Sequence, residues 1–333
     1  LSQYDVYAIG NALVDVEYSI EPEELTRLGI DKGVMTLVEA DQQSEMMAAL
    51  AAREVNRSAG GSAANTVIAV SQFGGRGFYS CRIGDDDLGR IYAEDLAANG
   101  VTSNAAQHRE SGDTGRCLVF VTPDADRTMQ TYLGVTGALG VDAVAADALA
   151  ASRWFYFEGY LATSPSAREA VARAREIARE AGVPTAISLS DPNIVQHFGG
   201  ELREMIGTGV DFVFANEDEV MGLTGADDLD TALAELGQIT REFAVTRGAE
   251  GALIHNGHGV IEVPAHKVTP LDTVGAGDMF AGAFLHARSQ GHDHASAGHF
   301  ANAAAARLIT EYGPRFKPDV AHEVLAAFQR QHG

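Results

Sequence analysis

Lysine is almost missing from this chain: of 24 basic side chains in 333 residues, only Lys32, Lys267 and Lys317 are lysines. Against them stand 46 acidic side chains, for a formal charge of −22. A surface of that sign repels phosphate backbones and anionic bilayers. Nucleic acid and membranes are therefore excluded as expected partners, and an anionic ligand has to be held by local backbone dipoles. Cysteine is equally scarce, and Cys81 and Cys117 match no C-x-x-C pattern and cannot build a disulfide framework. They read as buried thiols of a cytoplasmic protein. No stretch approaches the ~18 apolar residues of a membrane span, and no basic start with an apolar run opens the chain. Proline is sparse, with 9 against 36 glycines, while 46% apolar and 21% charged residues are ordinary for a globular protein with a substantial core.

At about 150 residues per domain, the length suggests two domains or one large α/β domain with an appendage. Extended segments are expected over Tyr4–Ile9, Val16–Ile20 and Val34–Val38, then a helix over Asp41–Ala52 and an Ala-rich helix over Ser62–Phe73. Strand Phe78–Ile83 and helix Leu88–Asn99 follow, then a hairpin of Arg116–Val121 and Thr128–Leu133 turning at Pro123–Asp126. From Trp154–Phe157 onward strands and helices alternate through Thr185–Leu189 and Phe212–Ala215, which calls for a parallel sheet covered on both faces. The β-rich pieces at about 16–39 and 107–135 break this rhythm and suit a small lid sheet inserted in one domain spanning 1–333.

Two well-known phosphate-binding patterns are absent. There is no G-x-x-x-x-G-K-[ST], and Gly10-Asn11-Ala12 after the first strand fails G-x-G-x-x-G. What is present is Asp272-Thr273-Val274-Gly275-Ala276-Gly277-Asp278, a glycine turn running into an apolar helix. Its amides and the helix dipole can cradle an anion, and Asp278 beside it can accept a proton from an attacking hydroxyl.

The stretch from Asp272 to Leu285 resembles the signature of the PfkB carbohydrate kinase family, which includes ribokinase and adenosine kinase. The resemblance implies a ribokinase-like three-layer α/β/α fold, with a mainly parallel central sheet and a small β-rich lid. It also implies an ATP-dependent kinase in which Asp278 is the general base and the amides of Gly275, Ala276 and Gly277 form the anion hole. Ala59-Gly60-Gly61-Ser62-Ala63-Ala64-Asn65 resembles the family's glycine pair and following helix, and with Asn11 and Asp15 it matches the ribose-binding constellation. Two glycines let a sugar ring approach the backbone, Asn65 offers a donor and an acceptor, and Asp15 can accept from a vicinal diol.

Asn216-Glu217-Asp218-Glu219 resembles the family's N-x-x-E motif, with Asn216 and Glu219 organising Mg²⁺ through water and Glu217 and Asp218 facing solvent. Thr246, Arg247, Gly248 and Gly251 resemble the nucleotide loop, and the family comparison places adenine near Asn302. Asp272, the Val274 carbonyl and Glu311-Tyr312-Gly313 resemble the position of a K⁺ site. Within the family the chain is most similar to adenosine kinases and their bacterial relatives, through Gly10–Asp15, Gly159–Pro165, Ser188–Pro192 and Gly313–Asp319. The acceptor is then expected to be a nucleoside, most specifically adenosine at its 5′-hydroxyl, its base lying against Tyr160, Leu161, Leu13, Met35 and Leu133. Arg127 in the lid hairpin would reach the transferred phosphate. A kinase of ribose, fructose or a related free sugar is the alternative, and a catalytically silent ligand-binding regulator is the reading outside the enzyme class. A monomer is expected, a dimer joined through the lid being the alternative.

Overall fold

The computed structural model describes residues 2–50, 54–123, 127–207 and 209–332. Its main sheet has nine strands, in the order Val260–Val263, Ala252–Asn256, Glu242–Thr246, Phe212–Asn216, Thr185–Ser188, Ser152–Glu158, Tyr4–Ile9, Gly77–Ser80 and Thr102–Ser103. Neighbours run parallel except at the hairpin edge, where Ala252–Asn256 pairs antiparallel on both sides. Every residue of Tyr4–Ile9 is buried, as a strand covered on both faces requires. Side chains alternate between faces: Val6 and Ala8 join one apolar cluster, Tyr7 and Ile9 the other. Helices cover each face, giving the three layers.

The helices that position the site are α1 (Ser62–Gln72), α2 (Asp87–Ala98), α3 (Glu217–Thr224), α4 (Ala276–Ser289) and α5 (His294–Leu308). Helices α1 and α4 pack almost backbone to backbone. A Cβ on Gly282 would lie 2.6 Å from both Ala69 Cβ and the Thr66 carbonyl oxygen, so glycine is what permits that approach.

A second sheet of five strands runs Met35–Leu37, Arg127–Tyr132, Gly115–Val121, Leu13–Ser19 and Glu54–Gly60. It draws on both inserted segments and on Glu54–Gly60, which has no apolar alternation to announce a strand and pairs antiparallel with Leu13–Ser19. Along Leu13–Ser19, Val14, Val16 and Tyr18 are buried while Leu13 and Asp15 turn to the other face. The expected strand over Phe78–Ile83 is two pieces. The chain leaves the main sheet after Ser80, and Ile83 pairs instead with Arg109 in a separate two-stranded ladder. Within the Pro123–Asp126 turn, residues 124–126 lie outside the described residues, as do the end of the Asp41–Ala52 helix and the side chain of Arg127. No helix among the described residues is long and apolar enough to cross a membrane.

Candidate active site

Helix α4 opens on a turn that only glycine accommodates. Gly275 has φ of 74°, and a Cβ there would meet Pro314 at 2.7 Å. The Ala276 N–H donates to the Thr273 carbonyl at 3.2 Å, and the first regular helix bond runs from Met279 N–H to Gly275 at 2.8 Å. The Gly277 N–H therefore has no carbonyl of its own helix to bind and sits at the positive end of the helix dipole.

Asp278 lies in that first turn, pressed against α1. Ser62 Oγ donates to its Oδ1 at 2.6 Å and Asn65 Nδ2 to its Oδ2 at 3.0 Å. Burial pushes its pKa from the ordinary aspartate value up to about 6, while Ser62, Asn65 and the Arg315 charge hold it down. At neutral pH the group is an anion with each oxygen already accepting one bond. Such a carboxylate is oriented, and it has lone pairs to spare for a hydroxyl.

Sequence reasoning missed Glu158, the carboxylate next to this one. It is 1% exposed and accepts from the Asn11 N–H at 2.9 Å and the Ala63 N–H at 2.6 Å, tying the loop after the first strand to the start of α1. Burial raises its pKa to about 7 against those two donors. A glutamate ending the run Trp154-Phe155-Tyr156-Phe157 was the available signal, since a carboxylate following a strand buried on both faces has to find partners inside. Ser190, also missed, lines the same cleft in a left-handed conformation at φ 75°, and its Oγ accepts from the Gly159 N–H at 2.8 Å. A serine held there carries backbone strain at the site.

Across the cleft, Asn216 caps α3 and closes a reciprocal box with Glu219. Asn216 N–H and Nδ2 each donate to the glutamate at 3.0 Å, and the Glu219 N–H returns a bond of 2.8 Å to Asn216 Oδ1. Burial, with smaller contributions from Asp191, Asp218 and Asp278, raises the pKa of Glu219 to about 7. Glu217 does not simply face solvent: it pairs with Arg247 Nε at 2.8 Å.

A single cleft of about 520 Å³ collects most of the expected residues. Asn11, Asp15, Gly61, Ser62, Asn65, Tyr160, Asn216, Glu219, Thr246, Gly248, Val274, Gly275, Ala276, Gly277 and Asp278 line it, with Glu158. Other expected residues stand behind this lining. The Gly60 carbonyl accepts from Tyr92 at 3.0 Å, and a Cβ on Gly60 would strike the Asp15 carboxylate, so this glycine makes room for Asp15. Arg247 turns to Glu217 and Glu250. Gly251 closes its loop through a bond of 2.8 Å from the Arg247 N–H to its carbonyl. Asp272 joins two loops, accepting from Val274 N–H at 3.0 Å and Gly313 N–H at 2.8 Å. Asn302 is buried, its amide donating to the Val263 and Pro264 carbonyls at 3.1 and 3.2 Å. Of the expected base slot, Leu161 belongs to the core at 1% exposure, because the turn after Glu158 points it inward. Leu13, Met35 and Leu133 do line the cleft, joined by Leu37 and Met129, which sequence reasoning did not single out.

Residues 27–320 match the pattern of the pfkB family carbohydrate kinase. The chain is 36% identical to the adenosine kinase of Sinorhizobium meliloti, whose solved structure superposes with a TM-score of 0.91 over 100% of both chains. A probable sugar kinase from Rhizobium etli matches at 33% identity and TM-score 0.92, over 98% of this chain and 99% of that one. The aminoimidazole riboside kinase of Salmonella typhimurium is 33% identical over 270 residues, 76% of this chain and 82% of its own. The chain is thus a ribokinase-like phosphotransferase that uses an alcohol group of a nucleoside or a sugar as acceptor, and it belongs to the pfkB family of carbohydrate kinases.

Proposed function

We propose that this kinase transfers the γ-phosphoryl group of ATP to the 5′-hydroxyl of a nucleoside, adenosine being the acceptor that fits best. The observation that carries this choice is the small-sheet side of the cleft. There Leu13, Met35, Leu37, Met129 and Leu133 form an apolar surface facing the polar corner around Asp278. A flat purine base gains by covering such a surface, whereas a free sugar has hydroxyls on every edge and would leave them unpaired there. The similarity to the Sinorhizobium enzyme along the whole chain supports the same reading.

Asp278 then takes the proton of the 5′-hydroxyl as it attacks, and the N–H groups at the start of α4 meet the charge on the transferring phosphoryl group. Asn11, Asp15, Gly61 and Asn65 hold the ribose, with Tyr160 near the base. Thr246 and Gly248 flank the nucleotide phosphates, and Arg247, Gly251 and Asn302 keep the surrounding loops in place. The half-buried Asn216 with the buried Glu219 fits Mg²⁺ bound through water, since a carboxylate crowded by other acids gains from a cation and both its oxygens keep a lone pair free. Mg²⁺ supplies charge neutralisation for the phosphates. A K⁺ ion beside Asp272 and the Val274 carbonyl completes the reading. The segments at 16–39 and 107–135 act as a lid. Its outer residues Val16, Tyr18, Leu118 and Phe120 already pack on Leu25, Ile30 and Leu50 of the same chain, which favours a monomer.

The test is a panel of acceptors scored by ATP consumption, with adenosine, other nucleosides, ribose and fructose side by side. Adenosine is expected to give the highest kcat/KM. Strong turnover of ribose or fructose with none of adenosine overturns the acceptor, and binding without any transfer overturns the activity.

A further inference from the structure

The hydrogen bonds that hold Asp278 do not end at Asn65. Arg315, in the loop after α5, donates from Nε to Asn65 Oδ1 at 2.8 Å, and its Nη1 donates to Asp95 Oδ2 of α2 at 2.6 Å. A primary amide has a donor end and an acceptor end of nearly equal shape. Turned around, Asn65 would set its oxygen against the Asp278 carboxylate. With Oδ1 claimed by a guanidinium, Nδ2 is the end left for Asp278, at 3.0 Å. The Arg315 side chain is 13% exposed, so its charge and its bonds act with limited screening by water.

We propose that Arg315 is a positioning residue for the general base: anchored by Asp95, it fixes the donor end of Asn65 on Asp278 and so keeps the carboxylate aimed at the acceptor hydroxyl. This rests on the reading of Asp278 as the base. The other titratable groups around Asp278 are Glu158 and Tyr156 of the strand Ser152–Glu158, Tyr160 in the turn after it and Glu219 of α3. None of these is a cation. Arg315 is the positive charge acting on Asp278, and it works against the effect of burial. Removing it has a consequence that loss of packing alone does not: the base becomes easier to protonate.

The experiment is the pH dependence of kcat/KM for Arg315→Met, Arg315→Lys and Asp278→Asn beside the parent enzyme, each checked for a cooperative unfolding transition. In Arg315→Met the acid limb moves to higher pH by roughly one pH unit. Relative to the parent, activity is then lost about fivefold more at pH 6 than at pH 8, while KM for ATP stays within about twofold. Arg315→Lys, which keeps the charge, brings the limb most of the way back. If the methionine variant does not fold, Arg315→Gln takes its place, and its limb is expected to rise likewise. A folded neutral variant whose acid limb stays at the parent position, whether or not its rate falls, overturns the proposal. An active Asp278→Asn enzyme overturns the base itself, whereas an inactive one beside an unmoved limb in Arg315→Met rejects only the role of Arg315.

Discussion

On the main-sheet side of the cleft, the acidic side chains are held by named donors: Asp278 by Ser62 and Asn65, the buried Glu158 by two backbone N–H groups, the buried Glu219 by Asn216. On the small-sheet side, the lining is mostly apolar: Leu13, Met35, Leu37, Met129 and Leu133 with Cys117, beside the polar Asp15 and Thr131, and Leu37 is 41% exposed. Fixed polar groups on one side suit chemistry that must happen at one atom. Apolar side chains that can adapt on the other suit recognition by contact area. On the proposed reading one side sets rate and the other acceptor choice, and substitutions on the two sides should separate kcat from KM.

The largest effect is expected from Asp278→Asn, which keeps the shape and removes the base: kcat falls about 10²- to 10⁴-fold with acceptor KM little changed. Steady-state kinetics with both substrates varied would check this, and near-normal turnover would break the comparison at its strongest point. Next comes the glycine turn, where two neighbours should fail differently. A Cβ on Gly277 meets nothing within 4 Å, so Gly277→Ala folds normally, but its methyl group stands at the phosphate corner and raises KM for ATP about tenfold. Gly275→Ala puts a side chain at φ 74° against Pro314, and its unfolding midpoint should fall by an amount matching about 1–3 kcal/mol.

On the small-sheet side, Met129→Ala removes part of the apolar surface and leaves Asp278 untouched. Acceptor KM is expected to rise roughly 10-fold with kcat within about twofold. A fall in kcat of the Asp278→Asn size would show that the two sides are not separate. The smallest perturbation is pH alone. The proposed base, Asp278, works as its anion, and burial raises its pKa to about 6, so kcat/KM should be level near pH 8 and fall about tenfold for each pH unit below 6. A profile flat down to pH 5 would contradict the buried setting of Asp278.

The main sheet was legible because its strands show in the sequence, Tyr4–Ile9 as an alternating stretch and Trp154–Phe157 as an apolar run. The glycine turn was legible because it is local: Gly275, Ala276 and Gly277 are consecutive and open α4. What was not legible depends on partners far along the chain. Glu54–Gly60 is polar and becomes a strand only through pairing with Leu13–Ser19. Glu158 is an ordinary acidic residue until Asn11 and Ala63 meet it, and Arg315 lies 250 positions from the amide it holds. Asn302 and Arg247 show the opposite case. Both have residue types suited to a ligand, yet the fold commits their side chains to the Val263 and Pro264 carbonyls and to Glu217.

The most direct measurement is a crystal structure of the enzyme with adenosine and a non-hydrolysable ATP analogue. The terminal phosphoryl group should lie against the N–H groups of Gly275 to Gly277, with the ribose 5′-oxygen about 3 Å from Asp278. A triphosphate bound away from the start of α4, or an acceptor whose hydroxyl faces some other carboxylate, would contradict the account.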